Sequence, residues 1–406
     1  MPIAAHIPKD CIYDFDIHAD SIKGGDVQRA HEALHDKAPD IFYTPRNGGH
    51  WMATRFQHVT EIMTNPDIFA SAGSIPKPKI PFMDIRLPPQ DMDAPDHMRH
   101  RLLLMKFLAP KEIRKLEPQI RSLMAAHVSE VRDRGHCEFM RDISVPFPVK
   151  TFMSMMHMDL VRYVEFVRWA NGILGATNNL QRVPHFVRMT NYLKSLIRER
   201  KRNPSDDPIS MLLAAEINGE KLSDKRVLQM CNLLFLAGLD TVTNAMTFIV
   251  RHLAENPEDQ NLLREHPERI PEAVEEFMRR YAFVNTPRRV TADTDFHGVQ
   301  LKQGDIIWSS FAAASNDDEN VSNPLQVDLD RRKSPHLAFN TGPHNCAGAN
   351  LARLELKIFL EEWLSSIPAF RVRDGFVPAV RGGPVMAMES LELVWDADIN
   401  AAIISL

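Results

Sequence analysis

The chain of 406 residues is poor in cysteine, and its four cysteines lie far apart at Cys11, Cys137, Cys231 and Cys346. A secreted scaffold held by disulfides needs closer and more numerous cysteines, so we expect reduced thiols and a reducing compartment. Long basic runs are also missing, and the formal net charge of −5 gives no global attraction to nucleic acid. The 44% hydrophobic content is still sufficient for a large core.

Long uninterrupted apolar runs are missing as well. The first ten residues have neither a basic start nor a continuous apolar segment, so the sequence predicts no signal peptide and no membrane anchor. The most apolar stretch, 233–250, contains Asp240, Thr241 and Asn244, which favours a buried helix over a membrane span. We therefore expect a cytoplasmic monomer with no membrane or nucleic-acid partner.

One glycine-containing stretch, residues 339–353 (FNTGPHNCAGANLAR), carries a candidate for metal chemistry. Apolar residues recur after it at helical spacing, which predicts an amphipathic helix directly after Cys346: Leu351, Leu354, Ile358 and Leu360. Free backbone N–H groups and the helix dipole favour a thiolate there, the form that binds iron. A buried structural cysteine is the alternative.

The backbone of this stretch is predicted to be unusual at three positions. Gly342 and Gly348 have no Cβ, so we expect the chain there to approach a large flat group closely. Asn340 tolerates a left-handed conformation better than most residues.

A second candidate lies in the middle of a long predicted helix, 223–255, which Ser223 caps and Pro257 follows. The run Ala237-Gly238-Leu239-Asp240-Thr241 contains residues that are unfavourable in a helix. The Thr241 hydroxyl can compete for the Ala237 carbonyl, and Gly238 leaves space for a diatomic ligand. Reductive O–O cleavage needs protons, which an acid beside an alcohol can supply. A kinked packing helix with a buried, paired aspartate is the alternative.

The sequence His31-Glu32-Ala33-Leu34-His35 matches HExxH, the zinc-peptidase signature. No third ligand follows at a suitable spacing, and Pro39 ends the predicted helix soon afterwards. The sequence favours an amphipathic surface helix with both histidines in water.

The complete pattern FxxGxxxCxG around Cys346 resembles the haem-binding loop of the cytochrome P-450 superfamily, with Asn340 where many members have glycine. The resemblance implies a mainly α fold, a helical prism with a small β-rich region, in one domain over residues 1–406. It implies haem b (iron protoporphyrin IX) with Cys346 on the iron. Phe339, Gly342, Gly348 and Gly238 are the expected cofactor contacts.

Other positions extend the resemblance. Asp240 and Thr241 are similar to the family's oxygen-activating acid and threonine, a pair that peroxide-using members lack. The resemblance assigns two sets of supporting residues: propionate partners His97, Arg101, Arg288 and His336, and a structural brace of the Cys loop from Glu276, Arg279 and Arg331.

The closest match is to the branch that hydroxylates camphor and related terpenoids. It implies a monooxygenase that uses O2 and two electrons from a 2Fe–2S ferredoxin, itself reduced by an NAD(P)H-dependent reductase. No tyrosine lies between Tyr43 and Tyr163 to hold a ketone, so we expect a small apolar terpenoid or norisoprenoid bound by shape. The candidate pocket residues are Phe82, Ile85, Leu87, Leu233, Leu236, Ala237 and Val284.

A basic patch is the candidate ferredoxin site: Arg101, Lys106, Lys111, Arg114 and Arg353. An ordinary solvated surface accounts for these residues about as well. Two other functions stay open at this point, a haem protein without turnover and, more remotely, a zinc peptidase built on His31, Glu32 and His35.

Overall fold

The computed structural model describes residues 3–18, 26–74, 86–174, 179–331 and 335–396. The chain divides into two compact units. The first unit comprises Met1–Pro76, Phe248–Cys346 and Val372–Leu391, and the second comprises Lys77–Thr247, Ala347–Arg371 and Glu392–Leu406. The expectation of one domain over residues 1–406 stays a prediction.

Helices dominate the described residues, which confirms the mainly α prediction. They are α1 (Val27–Glu32), α2 (Leu34–Lys37), α3 (Phe56–Thr64), α4 (Asp96–Leu108), α5 (Pro110–Arg132), α6 (Pro146–Met155), α7 (Tyr163–Leu174), α8 (Asn179–Arg202), α9 (Pro208–Ala214), α10 (Asp224–Glu255), α11 (Pro257–Glu265), α12 (Ile270–Arg280), α13 (Phe311–Ser315) and α14 (Ala349–Ser366). Proline opens several of them at the first turn, where its missing N–H costs no hydrogen bond.

The strands are short. They are β1 (Ile41–Thr44), β2 (His50–Ala53), β3 (Phe69–Ala70), β4 (His136–Glu138), β5 (Glu216–Ile217), β6 (Glu220–Lys221), β7 (Asn285–Val290), β8 (Thr294–Phe296), β9 (Val299–Leu301), β10 (Ile306–Ser310), β11 (Phe370–Val372), β12 (Val380–Arg381), β13 (Ala387–Met388) and β14 (Glu392–Trp395).

The first unit is built on a five-stranded sheet in the order β1-β2-β10-β7-β3. Its strands pair antiparallel except β10 with β2, where Ile307 lies opposite Trp51. Trp51 and Ile307 are buried, as are Phe69 and Phe296 around them. The hairpin β8–β9 turns at His297 and Gly298, both in the left-handed region.

The second unit is a helical bundle whose core lies among α4 to α10. Its core includes a methionine-rich segment, which is buried at Met153, Met155, Met156 and Met158. Helix α14 packs along α5, where Arg121 donates to Glu361 at 2.7 Å and to Glu362 at 2.8 Å.

Helix α10 has the predicted ends. The Ser223 hydroxyl accepts from the Arg226 N–H at 3.2 Å, and Pro257 opens the next helix. By length and hydropathy alone α10 is long and apolar enough to cross a membrane, and 65% of its most apolar stretch is buried inside the protein. A core helix has that pattern.

The HExxH stretch is not one continuous helix. Helix α1 ends at Glu32 and α2 starts at Leu34. His31, expected in water, is fully buried, and its Nδ1 lies 2.9 Å from Ser310 Oγ. The surface prediction was wrong for His31 because α1 packs against α13, so its inner face lies in the core.

His35 faces a different group. Its Nε2 lies 3.4 Å from the Thr54 carbonyl oxygen, and its ring can share a cation only with Asp317 and Asp318 among the described residues. Arg55 already donates to both carboxylates at 2.8 Å. The two histidines of the motif therefore have separate partners, which removes the geometry that a zinc peptidase needs.

Burial lowers the pKa of His31 from 6.5 to about 4, because the apolar surroundings penalise the charged ring. As the pH falls, His31 of the unfolded chain takes up a proton before His31 of the folded protein does. The contribution of His31 to the free energy of unfolding is therefore complete above pH 6.5 and is lost as the pH falls toward 4. In His31→Asn the amide can replace Nδ1 as the partner of Ser310. We expect this variant to lower the slope of unfolding free energy against pH by up to about 1.4 kcal/mol per pH unit. Urea unfolding at a series of pH values measures it.

The matched control is the exposed His136→Asn, which should leave the slope unchanged. His50 and His127, whose pKa values burial also lowers to about 4, keep their own share of the slope in every variant. Equal slopes for His31→Asn and the wild type would contradict the assignment.

Candidate active site

The Cys loop, residues 339–346, is closed by its own hydrogen bonds. The Cys346 N–H donates to the Phe339 carbonyl at 2.8 Å. The Asn345 side-chain amide donates to the same carbonyl at 3.3 Å and to that of Asn340 at 3.0 Å. Asn340 has a φ of 61°, as predicted for a residue that tolerates the left-handed region. Asn340 therefore adopts the left-handed conformation at a position where many members of the family that the sequence resembles have glycine.

Cys346 is the exposed cysteine among the four, all of which lie in the described part of the chain. Burial raises the pKa of Cys231 to about 12 and also raises the pKa of the Cys137 thiol. Cys346 precedes Gly348, the N-cap of α14, by two residues, so it lies before the helix as predicted. Of the four thiols, this one is suited to bind a metal.

The two glycines of the stretch have different surroundings. Gly342 has a φ of 68°, and a Cβ there would lie 2.6 Å from the Met63 carbonyl oxygen at the end of α3. Because Gly342 has no side chain, its backbone can lie close to α3. We had expected this close approach to be to a large flat group. Gly348 has an ordinary φ of −88°. Cofactor contact by either glycine stays a prediction.

Glu276 and Arg279 form a fully buried bidentate pair on α12. Arg279 Nε donates to Glu276 Oε2 at 2.9 Å and Nη2 donates to Oε1 at 2.8 Å, with side-chain exposures of 0% and 2%. Arg331 Nε donates to the same carboxylate at 3.2 Å. The three residues come together as the resemblance implied.

Their backbone contacts lie upstream of the Cys loop, however. Arg279 donates to the carbonyls of Pro324 at 2.7 Å, Gln326 at 2.9 Å and Ser315 at 3.3 Å. The expected direct bonds to Cys-loop carbonyls are therefore replaced by bonds to the segment before it. The connection to the loop is indirect, because Ser315 Oγ accepts from the Leu337 N–H at 3.0 Å.

Two predicted propionate partners lie in the first unit. Arg288 is buried on β7 and donates to the Pro287 carbonyl at 2.9 Å. His336 Nδ1 accepts from the Ala338 N–H at 3.3 Å, which leaves the proton on Nε2, 3.2 Å from Glu275. Both ring nitrogens of His336 thus have protein partners. A propionate contact would have to replace Glu275, and this role stays a prediction.

The other two predicted partners lie in the second unit, on the first turns of α4. His97 is buried and Arg101 is half-buried, one turn further along the same face. Their side chains have the spacing that two donors to one carboxylate require. Their role as propionate partners stays a prediction.

The centre of α10 has an open face. Thr241 Oγ1 donates to the Ala237 carbonyl at 3.2 Å, which confirms the predicted competition for that carbonyl. Ala237 is exposed and Asp240 and Thr241 are half-buried, whereas residues 230–235 and 242–250 are all buried. An open turn between two buried stretches of the helix fits a large group packed against it.

Gly238 does not face the same way. A Cβ on Gly238 would lie 3.3 Å from Phe152 Cδ2 on α6. Its missing side chain therefore makes room for a ring of the second unit's core, and not, as we expected, for a diatomic ligand. Its assignment as a cofactor contact stays a prediction.

The candidate substrate residues are spread over both units. Phe82 and Ile85 lie outside the described residues. Leu233 is buried, and Leu236, Leu87 and Val284 are half-buried. On α10, Leu233 and Leu236 lie within one turn of the open residue Ala237.

Comparison with known proteins agrees with this site. The family model described as Cytochrome P450 matches residues 149–372. The chain is 31% identical to a probable cytochrome P450 127A1 of Sinorhizobium fredii, over 97% of each chain. It is 30% identical to a steroid C26-monooxygenase of Mycobacterium tuberculosis, over 84% of this chain and 94% of the relative. This chain belongs to the cytochrome P450 family.

Solved P450 structures share the fold. The crystal structure of CYP101J2 has a TM-score of 0.90 at 30% identity, covering 98% of this chain and all of the other. That of CYP101C1 has a TM-score of 0.89 at 31% identity, covering 97% of this chain. The protein is a P450 monooxygenase, and its cofactor is haem b.

The residues present fit that cofactor. An exposed thiol precedes a helix N-terminus, a buried guanidinium lies at Arg288, and α10 has an open turn in its middle. Sequence reasoning missed Asn345 and Ser315. Asn345 could have been found from the sequence, because its amide side chain is adjacent to Cys346. Ser315 gave no local signal, because it contacts a residue 22 positions away.

Arg279→Lys should show how much the buried pair contributes. Lysine keeps the charge but cannot donate to Glu276 and to three carbonyls together, so we expect a loss of about 3–5 kcal/mol in unfolding free energy. We also expect lower haem content. Denaturant unfolding and the spectrum of the reduced CO complex measure the two effects.

Arg99→Lys, in an exposed pair with Asp96, is the control and should change stability by less than about 1 kcal/mol. An Arg279→Lys protein with wild-type stability and an unchanged thiolate-type CO spectrum would show that the pair does not support the Cys loop.

Proposed function

We propose that this P450 hydroxylates a small apolar terpenoid or norisoprenoid with O2 and two electrons delivered by a ferredoxin. The observation that carries the proposal is the open turn of α10 with Asp240 beside Thr241. The bound haem supplies O2 activation, and its thiolate ligand supplies the electron density that assists O–O cleavage. Substrate turnover distinguishes this function from a haem protein that binds without reacting.

In this proposal Cys346 is the iron ligand. Arg288, His97 and Arg101 hold the propionates through charge-assisted hydrogen bonds, and His336 joins them by exchanging Glu275 for a propionate. Phe339, buried at the start of the Cys loop, would be a further residue that holds the cofactor.

Asp240 and Thr241 manage protons. The Thr241 hydroxyl donates to the Ala237 carbonyl, so its proton is held on the open side of α10 and its oxygen remains an acceptor. Asp240 is half-buried and adjacent, and it can bring protons from water to this hydroxyl. The pair thereby provides protons for the reduction of oxygen to water.

The residues proposed from the sequence to contact the substrate are all apolar, and those that the structure describes are Leu87, Leu233, Leu236, Ala237 and Val284. No described residue among them offers a hydrogen bond from its side chain, which favours a ligand recognised by shape. The relative named steroid C26-monooxygenase supports a steroid as the second candidate substrate class. A substrate-induced spin-shift screen over terpenoids and steroids decides between them.

Thr241→Ala tests the proton role. We expect NADH oxidation to continue while product per NADH falls about tenfold or more, because the hydroxyl no longer positions a proton. The matched control is Thr243→Ala on the same helix, whose hydroxyl donates to the buried Ser144 carbonyl at 2.8 Å. If Thr241→Ala kept wild-type coupling, the proposed role of Thr241 would have to be abandoned.

A ferredoxin is the proposed electron donor. Lys106, Lys111 and Arg114 are exposed on α4 and α5. Two large apolar side chains of α4 are exposed in the same region, Met98 at 48% and Leu102 at 57%. Apolar contact surrounded by positive charge suits a small acidic protein. Arg101 and Arg353 complete the patch predicted from sequence, and the scattered cysteines support a cytoplasmic location.

Lys106→Glu combined with Arg114→Glu tests this surface without changing Arg101, a proposed haem contact. We expect the ferredoxin-supported rate at low salt to fall by about tenfold and to lose its salt dependence. Arg202→Glu, exposed on α8, is the control. A double variant with the wild-type rate and salt response would exclude this patch as the docking site.

A further inference from the structure

The last turn of α3 lies directly against the Cys loop. A Cβ on Gly342 would lie 2.6 Å from the Met63 carbonyl oxygen, 3.1 Å from Thr64 Cα and 3.2 Å from Thr64 Cγ2. The Gly342 carbonyl accepts from the Asn345 N–H at 3.1 Å, and Cys346 is the next residue. A displacement of Gly342 by α3 would therefore reach Cys346 through one hydrogen bond and one peptide unit.

The first turn of α3 is held by a carboxylate from a distant part of the chain. The Phe56 N–H is one of the first N–H groups of the helix, which have no partner inside it. It donates to Asp317 Oδ2 at 2.8 Å, and Arg55 donates to Asp317 Oδ1 at the same distance. Asp317 is 2% exposed, and its charge also suits the positive end of the helix dipole. Asp317 thus caps α3 from 261 positions away.

Asp317 follows two residues that are bonded to the buried pair on α12. Arg279 donates to the Asn316 side-chain oxygen at 3.2 Å and to the Ser315 carbonyl at 3.3 Å. A second connection therefore runs from the buried pair to the Cys loop, through Asp317 and α3. It reaches the loop at a different point from the contact of Ser315 with Leu337.

Helix α3 is fixed along its length as well as at its ends. Val59 and Ile62 on its inner face are fully buried in the core of the first unit. On its outer face, His297 Nε2 donates to Glu61 at 2.9 Å. The helix has nine residues, a length of about 13 Å. A short helix with these contacts moves as one body, so the position of its first turn determines that of its last turn.

We propose that α3 positions the iron ligand, and that Asp317 is a positioning residue that acts through α3 and Gly342. The proposal rests on the assignment of Cys346 as the haem-iron ligand. Asp317 fixes the first turn of α3, and the last turn limits how closely Gly342 approaches the core of the first unit. The position of Cys346 follows from that limit.

Asp317→Asn tests the first turn of α3. The change removes the charge that pairs with Arg55 and replaces one acceptor oxygen with an NH2 donor. In the haem-loaded enzyme we expect the amides of residues 339–346 to exchange hydrogen about tenfold faster. We also expect the iron midpoint potential to rise, because a less ordered thiolate donates less electron density to iron. Hydrogen exchange with mass spectrometry and a redox titration measure the two effects.

The matched control is Asp207→Asn in the second unit. Asp207 is also buried, accepts from a helix N-terminal N–H, that of Ser210, at 2.7 Å and also pairs with an arginine, Arg200. The control should lower the free energy of unfolding without changing the exchange of residues 339–346 or the iron potential. Equal changes at the Cys loop in both variants would mean that Asp317 acts only through overall stability and would overturn the proposal.

Gly342→Ala tests the other end of α3. The new methyl group would overlap the Met63 carbonyl, so we expect the loop to move and the reduced CO complex to lose part of its thiolate-type band. The control for backbone strain is Gly219→Ala. Gly219 has a φ of 82°, close to the 68° of Gly342, but has open space around its Cβ position. This control should keep the wild-type spectrum, and a wild-type spectrum for Gly342→Ala would contradict the proposal.

The double variant Asp317→Asn, Gly342→Ala shows whether the two ends of α3 are coupled. Once the first turn is loosened, α3 can yield to the new methyl group, so the two effects on loop exchange should be non-additive. The double variant should exchange no faster than the more affected single variant, whereas additive effects would overturn the proposal. The wild-type CO spectrum is a separate test, since absence of a thiolate-type band would contradict Cys346 as the ligand. The exchange rates test the contact of α3 with the Cys loop by itself.

Discussion

The buried pair of Glu276 and Arg279 is the interaction around which the segment before the Cys loop is organised. A fully desolvated guanidinium and carboxylate are stable only if all their donors and acceptors find partners. Arg279 meets this requirement by donating to carbonyls of Ser315, Pro324 and Gln326. The irregular segment that leads to the loop is thereby held around one charged group, and Ser315 extends the restraint to Leu337. The restraint on the approach to Cys346 is thus made by hydrogen bonds some distance from it.

Helix α10 shows the opposite arrangement, in which order is relaxed at one turn. Residues on both sides of the turn are buried, but Thr241 bonds the Ala237 carbonyl and the face around it stays open. The competition of a side-chain hydroxyl for a helical carbonyl slightly destabilises the helix. The buried residues on both sides of the turn offset this effect. The outcome is a polar turn in the middle of an apolar helix, and this is the position at which we propose that protons are handled.

The HExxH stretch shows how tertiary packing decides the role of a motif. His31 is buried, neutral and bonded through Nδ1 to Ser310, so a motif that suggests zinc in the sequence is a core contact in the fold.

The sequence by itself determined the features that depend on local order: the helix after Cys346, the capped helix containing Asp240 and Thr241, and the left-handed Asn340. The mainly α class came from the family resemblance. Tertiary structure alone decided the burial of His31, the packing of Gly342 on α3 and of Gly238 on Phe152, and the carbonyls that Arg279 bonds. Periodicity, caps and glycines act over a few residues, so they can be read from the chain. Contacts between residues tens to hundreds of positions apart depend on how whole elements pack, and no local pattern encodes them.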